Sequence, residues 1–456
     1  MSRYDKVDVS MDLSPEAIQS EVERILASEK FARSKRLRSL LRFTVAQTLQ
    51  GNADTLKEYV IGTEVLKKPD SYDPRSDSLV RVLASRLRVK LKEYYSDGGS
   101  DDPLVIEFPK GKYVPRFQRR EQLQTEIEKK LRARNACSQG KFLMTRLSEA
   151  TLAEAADRFE EAIEADPAWA AAHEALAAVY AYQAFFGFRR PREAWPAARA
   201  QAEAALQFDE MSAGGHLILG MFCSLYEWRW HDAESHFQKA VDRDAYSGAA
   251  HLWRALACWL PEGKLGPVHQ EIARARELAP ALLLEEGNAL ALYFSERYEE
   301  ALHKLDEAAP SAAPVWSARL RARSLTALGR PAEAVALLER LREQQPERNA
   351  SDAELACAYA AEGQLEKARE VLAGLRDRRT AGAWIANYDL AAIEMALGDH
   401  NEAQTLLHEA LREKEPALAF LAVDPRFQAL RGTPKYASVV RRLMLADGEE
   451  IRVQTA

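Results

Sequence analysis

From about residue 150 to residue 410 the chain repeats one spacing: a small residue, a large apolar residue four positions on, and a small or apolar residue three after that. The triplets Ala155/Phe159/Ala162, Ala233/Phe237/Ala240, Ala334/Leu338/Leu341 and Ala403/Leu407/Ala410 carry it. Positions i, i+4 and i+7 stack on one face of a helix. The anchors are Ala155, Ala198, Ala233, Val268, Ala301, Ala334, Ala368 and Ala403, separated by 43, 35, 35, 33, 33, 34 and 35 residues. Pro167, Pro280 and Pro346 fall twelve residues after an anchor, where a helix should stop. Gly329, Gly363 and Gly398 fall five before one, where a turn belongs. The pattern predicts a helix-turn-helix unit repeated about eight times, each burying its apolar face only against its neighbours.

The first 120 residues follow other periods. Ser14-Pro15-Glu16 is a helix start, followed by Ile18, Val22, Ile25 and Leu26 at helical spacing. A second amphipathic helix spans Lys35 to Leu49, with Leu37, Leu40, Leu41 and Val45 on one side and Lys35, Arg36, Arg38 and Arg42 on the other. A shorter helical pattern over Thr55 to Val65 leads into the punctuated loop from Lys68 to Arg75. A long helix is predicted over Asp77 to Tyr95, with Val80, Leu83, Ala84, Leu87 and Leu91 inward and Arg81, Ser85, Arg88 and Lys92 outward, flanked by Arg86 and Lys90. Beyond Gly98-Gly99 the period shortens to alternation at Leu104, Ile106 and Phe108, then Lys110-Gly111-Lys112, then Tyr113 to Phe117. That is a β-hairpin with a basic tip.

Charge separates the two regions. Residues 1 to 120 hold 23 Lys and Arg against 18 Asp and Glu, a charge of +5, whereas the remainder holds 40 against 51, a charge of −11. At 456 residues the chain exceeds one compact core and suits a solenoid joined to something smaller. No apolar run is long enough to span a membrane and the first residues lack the apolar stretch of a secretion signal, so a soluble cytoplasmic protein is expected. Cys223, Cys258 and Cys357 share one small-residue position of the repeat and Cys137 stands alone, which marks reduced packing residues.

The stretches Ala-Asp-Arg-Phe-Glu-Glu-Ala-Ile-Glu-Ala-Asp-Pro, ending at Pro167, and Leu355 to Ala368 resemble tetratricopeptide repeats. The resemblance covers residues 139 to 412. Three helices followed by a hairpin is the order of a winged helix, and Val80 to Leu91, with its Arg86-Leu87-Arg88-Val89-Lys90-Leu91 end, resembles the recognition helix of OmpR-type DNA-binding domains. Ile106 to Tyr113 is similar to the wing of that family, although Lys112 stands where a glycine usually precedes the tyrosine. The first 50 residues read as helices where that family carries a small sheet. The resemblance implies duplex DNA as a partner, with Arg81, Ser85 and Arg88 reading base edges and Arg86, Lys90, Lys92, Lys110 and Lys112 meeting phosphates. Lys35, Arg36, Arg38 and Arg42 form a second edge for phosphates or a plain solvated face.

The expected organisation is mainly α: a winged helix at 1 to 120, a connector helix at 121 to 138 packing through Leu123, Ile127 and Leu131, the solenoid at 139 to 412, and a cap at 413 to 456 sealing the last repeat. In the repeat family the first helices line the groove, so Tyr180, His216, Arg254, Arg319 and Tyr388 become candidate contacts for a protein partner or a second copy of the chain. Phe186, in an insertion that lengthens the second repeat, is a candidate aromatic anchor. His231 and His236 are five residues apart and on different helix faces, which suits aromatic packing and not metal chelation. No nucleophile elbow, phosphate loop or catalytic carboxylate pair occurs, so neither an enzyme nor a cofactor is expected. A regulator that binds DNA and protein is expected, with a protein-only adaptor, or a recruiter of a separate enzyme assembly, as the alternative.

Overall fold

The Ser14 side chain accepts a hydrogen bond from the Ala17 amide and starts the first helix, as the Ser-Pro-Glu signal requires. The computed structural model describes residues 13–278, 283–308, 313–344 and 351–444; Pro280 and Pro346 lie outside them, as do both chain ends. The chain divides into two compact units, Met1–Leu131 and Arg132–Ala456.

In the first unit, α1 (Pro15–Ala27), α2 (Glu29–Ala32), α3 (Lys35–Leu49), α4 (Glu58–Glu64) and α5 (Leu79–Tyr95) precede two antiparallel strands, β1 (Leu104–Glu107) and β2 (Arg116–Arg119). The predicted apolar stripes of α1, α3 and α5 meet in one core with Phe31, Ile106 and Phe117. The register pairs Ile106 with Phe117. Strand β2 starts only after Pro115, which has no amide hydrogen for the ladder. The Tyr95 hydroxyl donates to the buried Glu21 carboxylate at 3.1 Å and accepts from the Ile106 amide at 2.8 Å, tying α1, α5 and β1 together. The next helix, α6 (Arg120–Leu143), buries only Ala133, Ala136, Cys137 and Gly140. Its expected connector stripe is not a packed seam: Ile127 and Leu131 are about half exposed, at 49% and 52%.

The second unit continues with α7 (Glu149–Ala165), α8 (Ala170–Phe185), α9 (Pro191–Phe208), α10 (Ala213–Phe222), α11 (Trp230–Arg243), α12 (Gly248–Arg254), α13 (Leu265–Glu277) and α14 (Leu284–Phe294). Then come α15 (Tyr298–Glu307), α16 (Pro314–Ala327), α17 (Pro331–Gln344), α18 (Asp352–Ala361), α19 (Leu365–Thr380), α20 (Asn387–Leu397), α21 (His400–Glu413) and α22 (Pro434–Met444). From α6–α7 to α20–α21 these form eight consecutive hairpins among the described residues, a tetratricopeptide-like solenoid. All eight anchors lie on second helices and are wholly buried. Gly329, Gly363 and Gly398 adopt the left-handed conformation that closes the turn before α17, α19 and α21.

Two features depart from a plain repeat. The helices α10 and α12 each run into a π-helical turn, at Cys223–Glu227 and Ala255–Trp259. The expected cap does not sit only on the last repeat. After α21 the chain makes short 3-10 turns at Pro416–Phe420 and Pro425–Leu430, then α22, and returns along the first helices towards earlier repeats. Phe420 stacks on Phe294 of α14 with ring centroids 5.4 Å apart, and Trp230 of α11 donates to the Leu443 carbonyl at 2.8 Å. Leu418, Leu421, Phe427, Leu430 and Val439 are essentially inaccessible, and burying each apolar side chain contributes roughly 1.5–3 kcal/mol.

Ala334 touches its neighbours at zero exposure. Ala334→Phe is expected to cost on the order of 1–3 kcal/mol by overpacking. Thermal melting checks this; an unchanged transition would show that the anchor does not set the helix approach.

Candidate functional site

In the first unit, α5 turns two sets of side chains in different directions. Val80, Leu83, Leu87 and Leu91 enter the core, while Arg81, Val82, Ser85, Arg86, Val89 and Lys92 face solvent. Val82 and Val89 are 42% and 54% exposed. Together with Ser85, Arg86 and Lys90 they form one wall of a groove of about 580 Å³ whose opposite wall is Arg33, Lys35 and Arg36 at the start of α3. The fold therefore unites part of the expected helix face with part of the expected second basic edge. Arg33 and the two valines are additions. The run of cations from Arg33 to Arg38 signalled the first; an apolar pair seven residues apart, off the buried stripe, signalled the others.

Other expected contacts are committed elsewhere. Arg88 is not a free donor: its Nε donates to the Phe108 carbonyl at 2.9 Å, and its Nη2 to the carbonyls of Pro109 at 2.9 Å and Lys112 at 3.2 Å. It straps the hairpin tip to α5. Arg81 donates to the Pro74 carbonyl at 3.1 Å and pairs with Glu58 at 3.4 Å. Lys90 pairs with Glu93 at 2.6 Å, and Arg42 with Glu23 at 2.8 Å. Arg38 is partly buried on α3, and Lys110 and Lys112 are exposed at the hairpin tip, outside the groove.

In the second unit the six expected partner contacts are engaged within the chain. The Tyr180 hydroxyl donates to Glu160 at 2.6 Å, and Arg189 covers its ring. Phe186 packs edge-on against Trp316, with centroids 5.6 Å apart, so the insertion faces inward across the solenoid. His216 and His236 share a hydrogen bond between their Nδ1 atoms at 3.1 Å. Arg254 is buried, donates to Gln238 at 3.0 Å, and lies over the Trp259 ring. Arg319 pairs with Glu354 and Asp389, each at 2.8 Å. Tyr388 is buried under Phe427 and donates to Asp424 at 2.8 Å.

The returning C-terminal segment closes over Tyr388 and the start of α20. Glu415 accepts from the Asn387 amide and side chain, both at 2.8 Å, and from the Tyr388 amide at 2.9 Å, capping the start of α20. Burial pushes its carboxyl up to about 7 against the pull of those donors. Burial also acts to raise the Glu354 carboxyl, but the guanidinium groups of Arg319 and Arg323 outweigh it and hold the group at about 2. The large apolar side chains exposed on this unit among the described residues are Phe142, Phe208, Met211, Tyr246 and Leu365; Phe208, Met211 and Tyr246, at 46%, 57% and 75%, lie at or just beyond the ends of α9 and α11. No group of three or more His, Cys, Asp and Glu side chains among the described residues could hold a metal ion, and no described helix is long and apolar enough to cross a membrane.

No family model and no curated protein matches the chain. Among solved structures, yeast Tom70 is 15% identical, over 95% of this chain and 93% of that one, with a TM-score of 0.34. A monomeric mutant of IFIT1 with Gppp-AAAA is 13% identical, over 96% of each chain, with a TM-score of 0.35. A tetratricopeptide repeat protein from Parabacteroides merdae is 11% identical, over 70% of this chain and 99% of that one, with a TM-score of 0.27. Likenesses this weak carry nothing about partners, and the hairpin repeat rests on the geometry of this chain.

Arg88→Ala should act on stability: leaving its three carbonyl acceptors unmet is expected to cost about 1–3 kcal/mol. Chemical denaturation followed in the first unit would show the loss. A second expectation concerns pH. Burial first, then His236, Lys239 and Arg243, lower the pKa of His216 from 6.5 to about 4. A depressed imidazole favours the neutral fold, so its contribution is complete above 6.5 and is lost as pH falls towards 4. Melting temperature should fall across that window more steeply for the native chain than for His216→Gln; parallel curves would remove the pair as the cause.

Proposed function

We propose that the chain is an adaptor that acts by binding: the solenoid holds a protein partner, and the first unit docks duplex DNA through the groove between α3 and α5. The groove carries the DNA half of this reading. It joins Arg33, Lys35, Arg36 and Arg86 with two exposed valines on a helix anchored from behind. Cations on a projecting helix suit phosphates, and small apolar side chains beside them suit thymine methyl groups. The charge of +5 on residues 1 to 120 favours the same ligand. Arg86 takes over the base-edge role first expected of Arg88, and the hairpin serves as the wing of a winged helix.

For the protein half, the deep burial of the returning segment argues against peptide entry along the first helices. Docking falls to the outer edge at Phe208, Met211 and Tyr246, where apolar surface remains uncovered.

A protein-only adaptor is the second reading, favoured by the apolar Val82 and Val89 and by the internal engagement of Arg81 and Arg88. Fluorescence anisotropy of the full chain with labelled duplex, over a range of salt, separates the two. If about five phosphates are met, log affinity should fall with log salt at a slope near −4 to −5. Arg86→Ala should weaken the preferred sequence by about 1–3 kcal/mol, while a Lys35→Glu, Arg36→Glu double variant weakens every sequence. No salt-sensitive binding at low ionic strength would leave the protein-only reading.

A further inference from the structure

Met211 and Tyr246 stand 35 residues apart, the length of one repeat, at the same place in consecutive turns. After α9 the Asp209 carboxylate accepts from the Met211 amide at 2.9 Å, and Ser212 caps α10 by accepting from the Gly215 amide at 3.0 Å. After α11 Asp244 accepts from the Tyr246 amide at 3.1 Å, and Ser247 caps α12 by accepting from the Ala250 amide at 3.3 Å. Aspartate and serine thus close each turn, and the side chain between them has no part in it. The position that follows the anchors Ala198 and Ala233 by 13 residues, and holds Met211 and Tyr246, holds the exposed Ala168 after Ala155. Bulk there is not a requirement of the turn, yet Met211 and Tyr246 carry it into solvent.

The two turns are neighbours in space, because the Arg243 guanidinium at the end of α11 reaches the Met211 sulfur. Phe208 stands three residues before Met211 and adds a third exposed apolar side chain. Around them the exposed Asp209, Glu210, Asp242 and Asp244 face Arg243 alone, four negative charges against one positive. That sign decides between occupants. Nucleic acid and an acidic lipid surface are repelled, and a second copy docking through the same patch would set like charge on like charge. A cationic protein segment with apolar side chains is attracted on both counts.

We propose that this edge docks a basic amphipathic helix of a protein partner. Equivalent points on packed neighbouring elements lie on the order of 10 Å apart. A helix covers that distance in about seven residues. The partner therefore presents one apolar residue to Met211 and another, two turns on, to Tyr246, with Lys or Arg on its flanks meeting Glu210 and Asp242. The proposal rests on the reading of this edge as the docking surface of the solenoid and adds the chemistry of what seats there.

Fluorescence anisotropy of three labelled peptides with the full chain tests the assignment. The first is a lysine-rich helix with leucines along one face; the second has the same composition with the leucines scattered; the third replaces each lysine of the first by glutamate. The first should bind, the second roughly tenfold or more weakly, and the third not at all. A Met211→Ser, Tyr246→Ser double variant should lower binding of the first peptide by a similar factor with unchanged melting, since both side chains stand outside the core. Glu210→Lys should weaken it and flatten its salt dependence. The proposal is overturned if no peptide binds or if patterned and scattered peptides bind alike. Binding of the glutamate peptide that needs Met211 and Tyr246 would overturn the charge assignment and leave the edge as a docking surface, whereas peptide binding indifferent to both residues would sink the two together. Self-association in sedimentation that the double serine variant removes would make a second copy the occupant and overturn the proposal.

Discussion

The second unit depends on missing bulk. At one position of each second helix the side chain is a methyl group, or a valine at residue 268, and it is fully enclosed. A longer side chain there would hold two helices apart, and the error would accumulate along the stack because each hairpin is placed by the one before it. Close approach also brings the first helices near enough for Phe185 and Phe186 to reach Trp316. The bed for the C-terminal segment follows from that spacing.

Charge in this molecule works mainly as internal fastening. Arg88, on the basic helix α5, holds three carbonyls of the hairpin, and Arg319 and Arg323 meet on one buried carboxylate, Glu354. Each guanidinium presents several donors in a fixed plane and can satisfy acceptors that a chain turn leaves over. The cations left for outside contact are therefore fewer than composition suggests, and they gather on one side of α5 and at the start of α3.

Helix order and repeat length were legible because they are written in spacings of three and four residues, which local geometry converts directly into faces. The hairpin after α5 was legible for the same reason, through alternation. Legibility ended where a side chain's partner lies far along the chain. Nothing near Arg88 in sequence marks the carbonyls of Phe108, Pro109 and Lys112 as its acceptors, and nothing near Tyr388 marks Asp424. The cap was legible as a segment, but the direction in which the chain travels after α21 is fixed only by distant contacts such as Trp230 with Leu443. Val82 and Val89 were passed over because their one signal, an apolar pair seven residues apart off the buried stripe, is weaker than the cations around them.

The returning C-terminal segment changes how the solenoid must be made. A stack of hairpins can form progressively behind the ribosome, each unit settling on its predecessor as it emerges. Here Phe294 and Tyr388 wait for Phe420 and Phe427, and Trp230 waits for Leu443, more than two hundred residues later in synthesis. The early repeats thus leave the ribosome with apolar faces uncovered and are completed only when the last turns are released. That long-range closure raises contact order and binds a nominally modular array into one cooperative body.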